Sequence, residues 1–255
     1  MMNLTDASYW ENFWGGQFPE IIMNKEGCEL HPLLSQYLPQ ATQSNPVELI
    51  EIGCYPGWFL YYFAKEFGYR VSGVDFLPEA GQIPAKLASV GVDAQVCVAD
   101  FFTFKPDHQY DIVFSKGFVE HFANWQEVLQ KLLDLLKPGG SLVIDFPNFR
   151  YGQYWLRWLI DPHFAAGHCL EVMDPQMWGE ALTERGLEIH YCGYFKTFEI
   201  WIAGSSPAAR GSGRKLPRAL FGCLYAIHKF IAWTGIEFPN RFFSPYAVII
   251  ASKPA

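Results

Sequence analysis

No two of the six cysteines (Cys28, Cys54, Cys97, Cys169, Cys192 and Cys223) are closer than 23 residues. There is no CxxC pair and no zinc-ribbon spacing, so no metal site is expected. Scattered thiols in a chain long enough to bury a full core read as reduced cysteines in a cytoplasmic protein. A basic surplus is missing as well. Lys and Arg number 19 against 26 Asp and Glu, a net charge of −7. Phosphate neutralisation carries much of the affinity of nucleic-acid binders, so nucleic acid is not an expected partner. The opening MMNLTDASYWENFW has neither a basic n-region nor an apolar h-region, and no signal peptide is expected. Long uninterrupted hydrophobic runs are absent. The longest apolar stretch, 219–236, contains His228, Lys229 and two glycines and makes a poor membrane span. Charged residues are only 18% against 50% hydrophobic, which excludes disorder.

Aromatics are abundant at 17%, which points to a generous core or a ring-lined pocket. The 255 residues suit one domain, 1–255, with an aromatic N-terminal arm or lid over 1–46 and a helical insertion over 196–242. Between them, short apolar strands alternate with helices. VELIEI at 47–52 reads as a strand, 58–67 as a helix ended by Gly68, and YRVSGV at 69–74 as a second strand. A helix over 78–90, interrupted near Pro84, leads to a third strand at 94–98. YDIVF at 110–114 is a fourth strand, 125–136 an amphipathic helix stopped by KPGG, and SLVIDF at 141–146 a fifth. Asp174-Pro175 opens a further helix, followed by strands near 187–193 and within 243–252. Leu216, Leu220, Leu224, Ile227 and Ile231 recur at helical spacing in the insertion. Alternation of this kind means a mostly parallel sheet with helices on both faces, and ligands at the edge where the strands end.

Three features mark that edge. Strand one runs into Glu51-Ile52-Gly53-Cys54-Tyr55-Pro56-Gly57 before a helix, a tight turn that lets backbone approach a ligand. Asp75, 22 residues after Gly53, ends strand two, where a carboxylate accepts hydrogen bonds from ribose hydroxyls. Asp100 ends strand three beside Phe101 and Phe102, an acid next to rings that can cover a purine.

In this order and spacing the motifs resemble those of the class I S-adenosylmethionine-dependent methyltransferases. The glycine motif stands as Glu51, Gly53, Tyr55 and Gly57, with tyrosine where the family's middle glycine falls. YDIVFSKGFVEHF at 110–122 is similar to the family's fourth strand and loop, LLKPGGSLVI at 135–144 to its fifth strand, and SPYAVIIASKP to its last. The resemblance implies a Rossmann-like α/β fold, a seven-stranded mostly parallel sheet whose last strand runs antiparallel. It implies S-adenosyl-L-methionine as cofactor, held by Glu51, Gly53, Cys54, Tyr55, Gly57, Asp75, Phe76, Asp100, Phe101, Ser115 and Lys116. The expected reaction is methyl transfer to an oxygen or nitrogen of a small hydrophobic or aromatic metabolite.

His121 and His168 are the candidates for a general base, with a structural reading open for His121. Tyr9, Trp10, Trp14, Phe118, Arg150, Tyr151 and Tyr154 are candidate substrate contacts. Arg210, Arg214 and Lys215 precede the insertion helix at an end where cations oppose the helix dipole, and either a solvated loop or an external anion such as a membrane surface accounts for them. Three other readings stand beside methyl transfer to a small molecule: a nicotinamide oxidoreductase, a non-catalytic binding protein on the same fold, and a lipid-directed methyltransferase. Monomer and homodimer are both compatible with the sequence.

Overall fold

Seven strands form one sheet in the order β3-β2-β1-β4-β5-β7-β6. The computed structural model describes residues 4–14, 18–160, 164–199 and 218–255. The strands are β1 (Glu48–Ile52), β2 (Arg70–Asp75), β3 (Ala94–Val98), β4 (Tyr110–Lys116), β5 (Leu136–Pro147), β6 (Glu188–Phe195) and β7 (Tyr246–Ser252). β1 to β5 pair in parallel, and β7 runs antiparallel to both β5 and β6. This is the sheet the sequence leads one to expect, antiparallel last strand included.

Alternation along the strands splits the core into two layers. Leu49, Ile112, Phe114, Val143, Val248 and Ile250 face one layer, which contains helices α2 (His31–Tyr37) and α3 (Trp58–Tyr62). Ile50, Ile52, Val113, Ile144, Phe146 and Ile249 face the other, against α5 (Trp125–Asp134) and α7 (Pro175–Glu184). Both sides of the sheet are therefore covered, and the central strands are apolar on both faces. Helices α1 (Ala7–Trp14), α4 (Ile83–Ala88), α6 (Tyr151–Ile160) and α8 (Arg218–Thr234) complete the described elements used below.

Element boundaries differ from the sequence reading in instructive ways. The helix expected over 58–67 is α3 followed by a π-helical turn, Phe63–Phe67, closed by Gly68 at φ +71°. The segment at 78–90 begins as a 3-10 turn, Pro78–Gln82, because Pro84 cannot donate to a longer helix, and α4 follows. KPGG does not lie between helix and strand. β5 already pairs at Leu136 with Tyr110, and an irregularity between Tyr110 and Ile112 absorbs the extra residues. Asp174 caps α7 as its sequence indicates, its Oδ1 accepting from the N–H of Gln176 at 3.1 Å. Arg210, Arg214, Lys215 and the rest of 200–217 fall outside the described residues.

The order β3-β2-β1-β4-β5 reverses direction between β1 and β4. Crossovers leave a crevice there, at the carboxyl ends of the parallel strands. Glu51 with the turn after it, Asp75, Lys116 and Asp145 all stand at that end. Because β7 is antiparallel, it brings its first residue, Tyr246, to the same place.

Candidate functional site

A cavity of about 370 Å³ opens at this edge. Aromatic rings are the largest group in its walls, and carboxylates are the largest group among its polar residues.

The turn after β1 forms the first wall. The N–H groups of Gly53 and Cys54 both point at the carbonyl of Val74, at 2.9 and 3.4 Å, and the N–H of Tyr55 donates to Asp75 Oδ2 at 2.9 Å. These three donors are spent inside the protein and so do not form the N–H cradle its sequence suggests. Gly53, at φ +76°, keeps a conformation that L side chains rarely adopt, and a Cβ there would meet the Phe118 ring at 3.0 Å. Tyr55, at the middle position of the motif, is buried. Its ring is held edge-on by Trp14 and Phe18, each with its centroid 5.2 Å away, and it lines the cavity without filling it.

Asp75 sits at the end of β2. Its Oδ1 accepts from the N–H of Leu77 at 2.9 Å while Oδ2 holds Tyr55. Each oxygen keeps further lone-pair capacity. Burial raises its pKa, opposed by those backbone donors. Glu51 is buried beside it. Burial first, and the Asp75 charge second, push its pKa well above the ordinary carboxylate range. Its Oε2 has no hydrogen-bond partner among the described residues. Asp100 is exposed at the rim and closes a turn, accepting from Phe102 at 2.8 Å and Thr103 at 3.3 Å.

The opposite end holds a buried charge cluster. Lys116 Nζ bridges Glu29 Oε1 at 2.9 Å and Asp145 Oδ1 at 2.5 Å, and lies 4.6 Å from the Tyr246 ring centroid. Burial alone would lower the lysine, but the two carboxylates outweigh it and hold the ammonium charged. Burial raises Asp145 to about 6, with Lys116 opposing, and raises Glu120 to about 8. Asp145 Oδ2 and Glu120 Oε2 have no hydrogen-bond partner among the described residues.

His121 stands beside Glu120, 3.8 Å from its Oε1. Its Nδ1 is 2.6 Å from the carbonyl of Gly167. A carbonyl only accepts, so Nδ1 carries the hydrogen and Nε2 is the acceptor. Burial first, then the adjacent His168 ring 4.8 Å away, lower the His121 pKa to about 3. It is neutral at any ordinary pH.

Helix α1 closes the cavity from the N-terminal side. Asp6 caps it through Ser8 and the N–H of Tyr9. The N–H of Leu4 donates to the His121 carbonyl at 3.0 Å, and Trp10 packs edge-on against the His121 ring at 4.9 Å. No residue of α1 is fully buried.

Among the sequence-derived candidates, Glu51, Gly53, Cys54, Tyr55, Asp75, Phe76, Asp100, Phe101, Lys116, His121, His168, Tyr9, Trp10, Trp14 and Phe118 line this one cavity. Five do not. Gly57 faces away, where a Cβ would lie 2.8 Å from Ile83; it serves the turn at φ +99°. Ser115 is fully enclosed because alternation along β4 turns it to the same buried face as Val113. Arg150 is drawn outward by an ion pair with Asp174 at 2.7 Å. Tyr151 is exposed beside Phe242, and Tyr154 packs into the core layer that holds α7. The cation of α6 that does reach the cavity is Arg157, two turns further along. Glu29, Glu120, Asp145 and Tyr246 were missed as well. Asp145 carried a signal, an acid inside an otherwise apolar strand. Glu29 carried none, lying in an irregular segment far away in sequence.

Residues 23–191 match the family model described as a methyltransferase domain. Over 97 residues the chain is 29% identical to 2-methyl-6-phytyl-1,4-hydroquinone methyltransferase of Synechocystis sp., covering 38% of this chain and 30% of that protein. Over 124 residues it is 30% identical to the ubiquinone biosynthesis O-methyltransferase of Saccharophagus degradans, covering 47% and 52%. The matches span about a third of the first relative and half of the second. Phosphoethanolamine N-methyltransferase 2 of Haemonchus contortus, solved with S-adenosyl-L-methionine, superposes with a TM-score of 0.58 at 17% identity, covering 98% of this chain and 57% of that one.

Proposed function

The chain belongs to the class I S-adenosylmethionine-dependent methyltransferase family, and from that premise we propose that it transfers a methyl group from S-adenosylmethionine to an oxygen or nitrogen of a small hydrophobic or aromatic metabolite. The observation that carries this reading is the pairing, in one aromatic cavity, of Asp75 and Glu51 at one end with Asp145 and Glu120 at the other.

The residues fit the cofactor. Its hydrogen-bond donors are an ammonium, two ribose hydroxyls and an adenine amine, and it carries a sulfonium charge. The N–H groups of Gly53, Cys54 and Tyr55 are spent inside the protein, which leaves the neighbouring carboxylates as the acceptors for these donors. Asp75 has lone pairs left for ribose hydroxyls, and the unpartnered Glu51 Oε2 suits an ammonium. Phe76 and Phe101 supply faces for a purine, with Asp100 at the rim for its amine.

When bound, the cofactor supplies an electrophilic methyl group on sulfur. The protein's tasks are then alignment, exclusion of water and, for a protonated nucleophile, removal of a proton. Helix α1 and its rings exclude water. Asp145 Oδ2 is the proton acceptor this geometry favours, since a carboxyl near pKa 6 is largely ionised at pH 7. Glu120, near 8, is largely protonated there and is a donor available to a ligand rather than a base. His121 is a weak base at about 3, and its hydrogen bond to Gly167 serves to fix the wall.

Calorimetric titration with S-adenosylmethionine and S-adenosylhomocysteine, with NADH as control, tests the reading. Micromolar binding of the sulfur nucleotides and none of NADH supports it, and a screen of phenolic, quinol and amine acceptors with labelled methyl donor follows. Absence of sulfur-nucleotide binding overturns it.

A further inference from the structure

Helix α8 presents its large apolar residues to solvent. Leu224, His228 and Ile231 are its more sheltered row, while Ile227, Phe230 and Trp233 are exposed, Trp233 at 81%. A helix that only covers a core points its apolar stripe inward. This one does the reverse.

The exposed face does not end with the helix. Ile236, Phe238, Phe242 and Phe243 continue it in the segment leading to β7. Gln153 on α6 ties that segment down, its N–H donating to the Phe242 carbonyl at 3.1 Å and its side chain to the Phe243 carbonyl at 2.5 Å. Helix α6 then adds Trp155, exposed at 64%, and Leu159. Six of these nine exposed apolar side chains are aromatic, and exposed apolar surface on this scale marks an interaction site.

Its charge identifies the partner. From Lys196 to Arg241 the sequence holds seven Lys and Arg and two acidic residues, in a chain whose net charge is −7; Arg210, Arg214 and Lys215 fall outside the described residues, and Lys229 and Arg241 are the cations placed beside the exposed rings. One of those acids, Glu237, is occupied by the N–H and hydroxyl of Thr197, at 2.6 and 2.7 Å. Among the cations, Lys229 lies over the Tyr225 ring at 5.6 Å, and Arg241 over Tyr151 and Phe242 at 5.4 and 4.9 Å. Apolar stems and rings with cations beside them match the headgroup boundary of a bilayer, where rings enter the acyl region and cations meet lipid phosphates. No helix among the described residues is long and apolar enough to cross a membrane, so the contact is with its surface.

We propose that the face formed by α8, the 236–243 segment and the outer side of α6 docks on an anionic lipid bilayer. Because α6 also carries Arg157 into the cavity, docking sets one wall of the candidate active site against the membrane. The proposal is independent of the methyl-transfer reading, because docking and cofactor binding are measured separately.

The test is co-sedimentation of the full chain with vesicles of phosphatidylcholine alone and with about a third phosphatidylglycerol. The proposal expects binding to the anionic vesicles, at least tenfold weaker binding to the neutral ones, and loss of binding as salt is raised from 50 to 500 mM, by screening of roughly one interaction per surface cation. The double variant Phe230→Ser, Trp233→Ser, whose changes lie on an exposed face, should bind vesicles at least tenfold more weakly while S-adenosylhomocysteine affinity stays at the wild-type value. Equal binding of wild type and double variant overturns the proposal. So does an absence of vesicle binding, including the case where light scattering shows a dimer that the double variant abolishes, which would assign the face to a second copy of the chain.

Discussion

Asp75 illustrates how one side chain serves structure and ligand together. Both its oxygens hold backbone N–H groups of the loops they join, so an alanine there costs the turn as well as the ligand. Asp75→Asn keeps one acceptor oxygen and separates the two. It is expected to weaken S-adenosylmethionine binding by about 1–3 kcal/mol while leaving the thermal midpoint closer to wild type than Asp75→Ala does. Calorimetry and a melting curve on the same preparations check this, and unchanged affinity removes Asp75 from the ribose site. His121 and Glu120 make a second case, with opposite signs. His121 is neutral in the fold down to about pH 3, while an unfolded histidine protonates near 6.5, so its contribution to stability falls as pH drops below 6.5. Glu120 stays protonated in the fold up to about 8 against about 4.5 unfolded, so its contribution is present at low pH and is lost as pH rises toward 8. Between pH 4.5 and 6.5 the two slopes cancel. His121→Asn keeps a donor for the Gly167 carbonyl and cannot protonate. Relative to wild type it should gain about 1.4 kcal/mol per pH unit on acidification across that window, read from urea midpoints.

Elements differ in how plainly their sequences announce them. The central strands are buried on both faces, the edge strands β3 and β6 less so, and every one of the seven is visible before the structure is seen. Boundaries failed where backbone pairing overrode local chemistry. KPGG looks like a stop, yet β5 pairs with β4 on both sides of it, at Leu136 and again from Ser141, and KPGG bulges out between. The site was legible where motifs follow a strand, as at Glu51, Asp75 and Asp100. It was illegible where chain return matters: Glu29, Arg157 and Tyr246 reach the cavity from an irregular segment, a helix face and an antiparallel strand. Arg150 shows the limit of proximity in sequence, since Asp174 holds it away from the cavity that Arg157 enters. Helix α1 is the element most dependent on side chains alone. It has no fully buried residue and rests on His121, Tyr55 and Trp58 through rings. Its local opening free energy is therefore low. Chymotrypsin should cut within 9–14 early in the free protein and several-fold more slowly with saturating S-adenosylhomocysteine, as followed by mass spectrometry. An equal rate with and without ligand would show that α1 does not close over the site.

For the whole molecule, the sheet is the rigid part and the cavity edge is where stability is spent. Buried polar atoms without a hydrogen-bond partner, Glu51 Oε2, Glu120 Oε2 and Asp145 Oδ2, are gathered at that edge, and each lowers stability relative to an apolar substitute. A cationic, hydroxyl-rich ligand that satisfies them returns that free energy on binding. At a ligand concentration 100 times the dissociation constant, binding stabilises the native state by about 2.7 kcal/mol. In a domain of this size one kcal/mol moves the midpoint by roughly 2–4 °C. S-adenosylhomocysteine should therefore raise the melting midpoint by roughly 5–11 °C at that excess. S-adenosylmethionine, which adds the sulfonium charge facing these carboxylates, should raise it at least as far at equal concentration. NADH carries two phosphates into a cavity lined by acids and is expected to leave the midpoint unchanged, because like charges there repel. A shift with NADH and none with the sulfur nucleotides would mean that the acidic cavity is not the nucleotide site, however well the sheet matches its family.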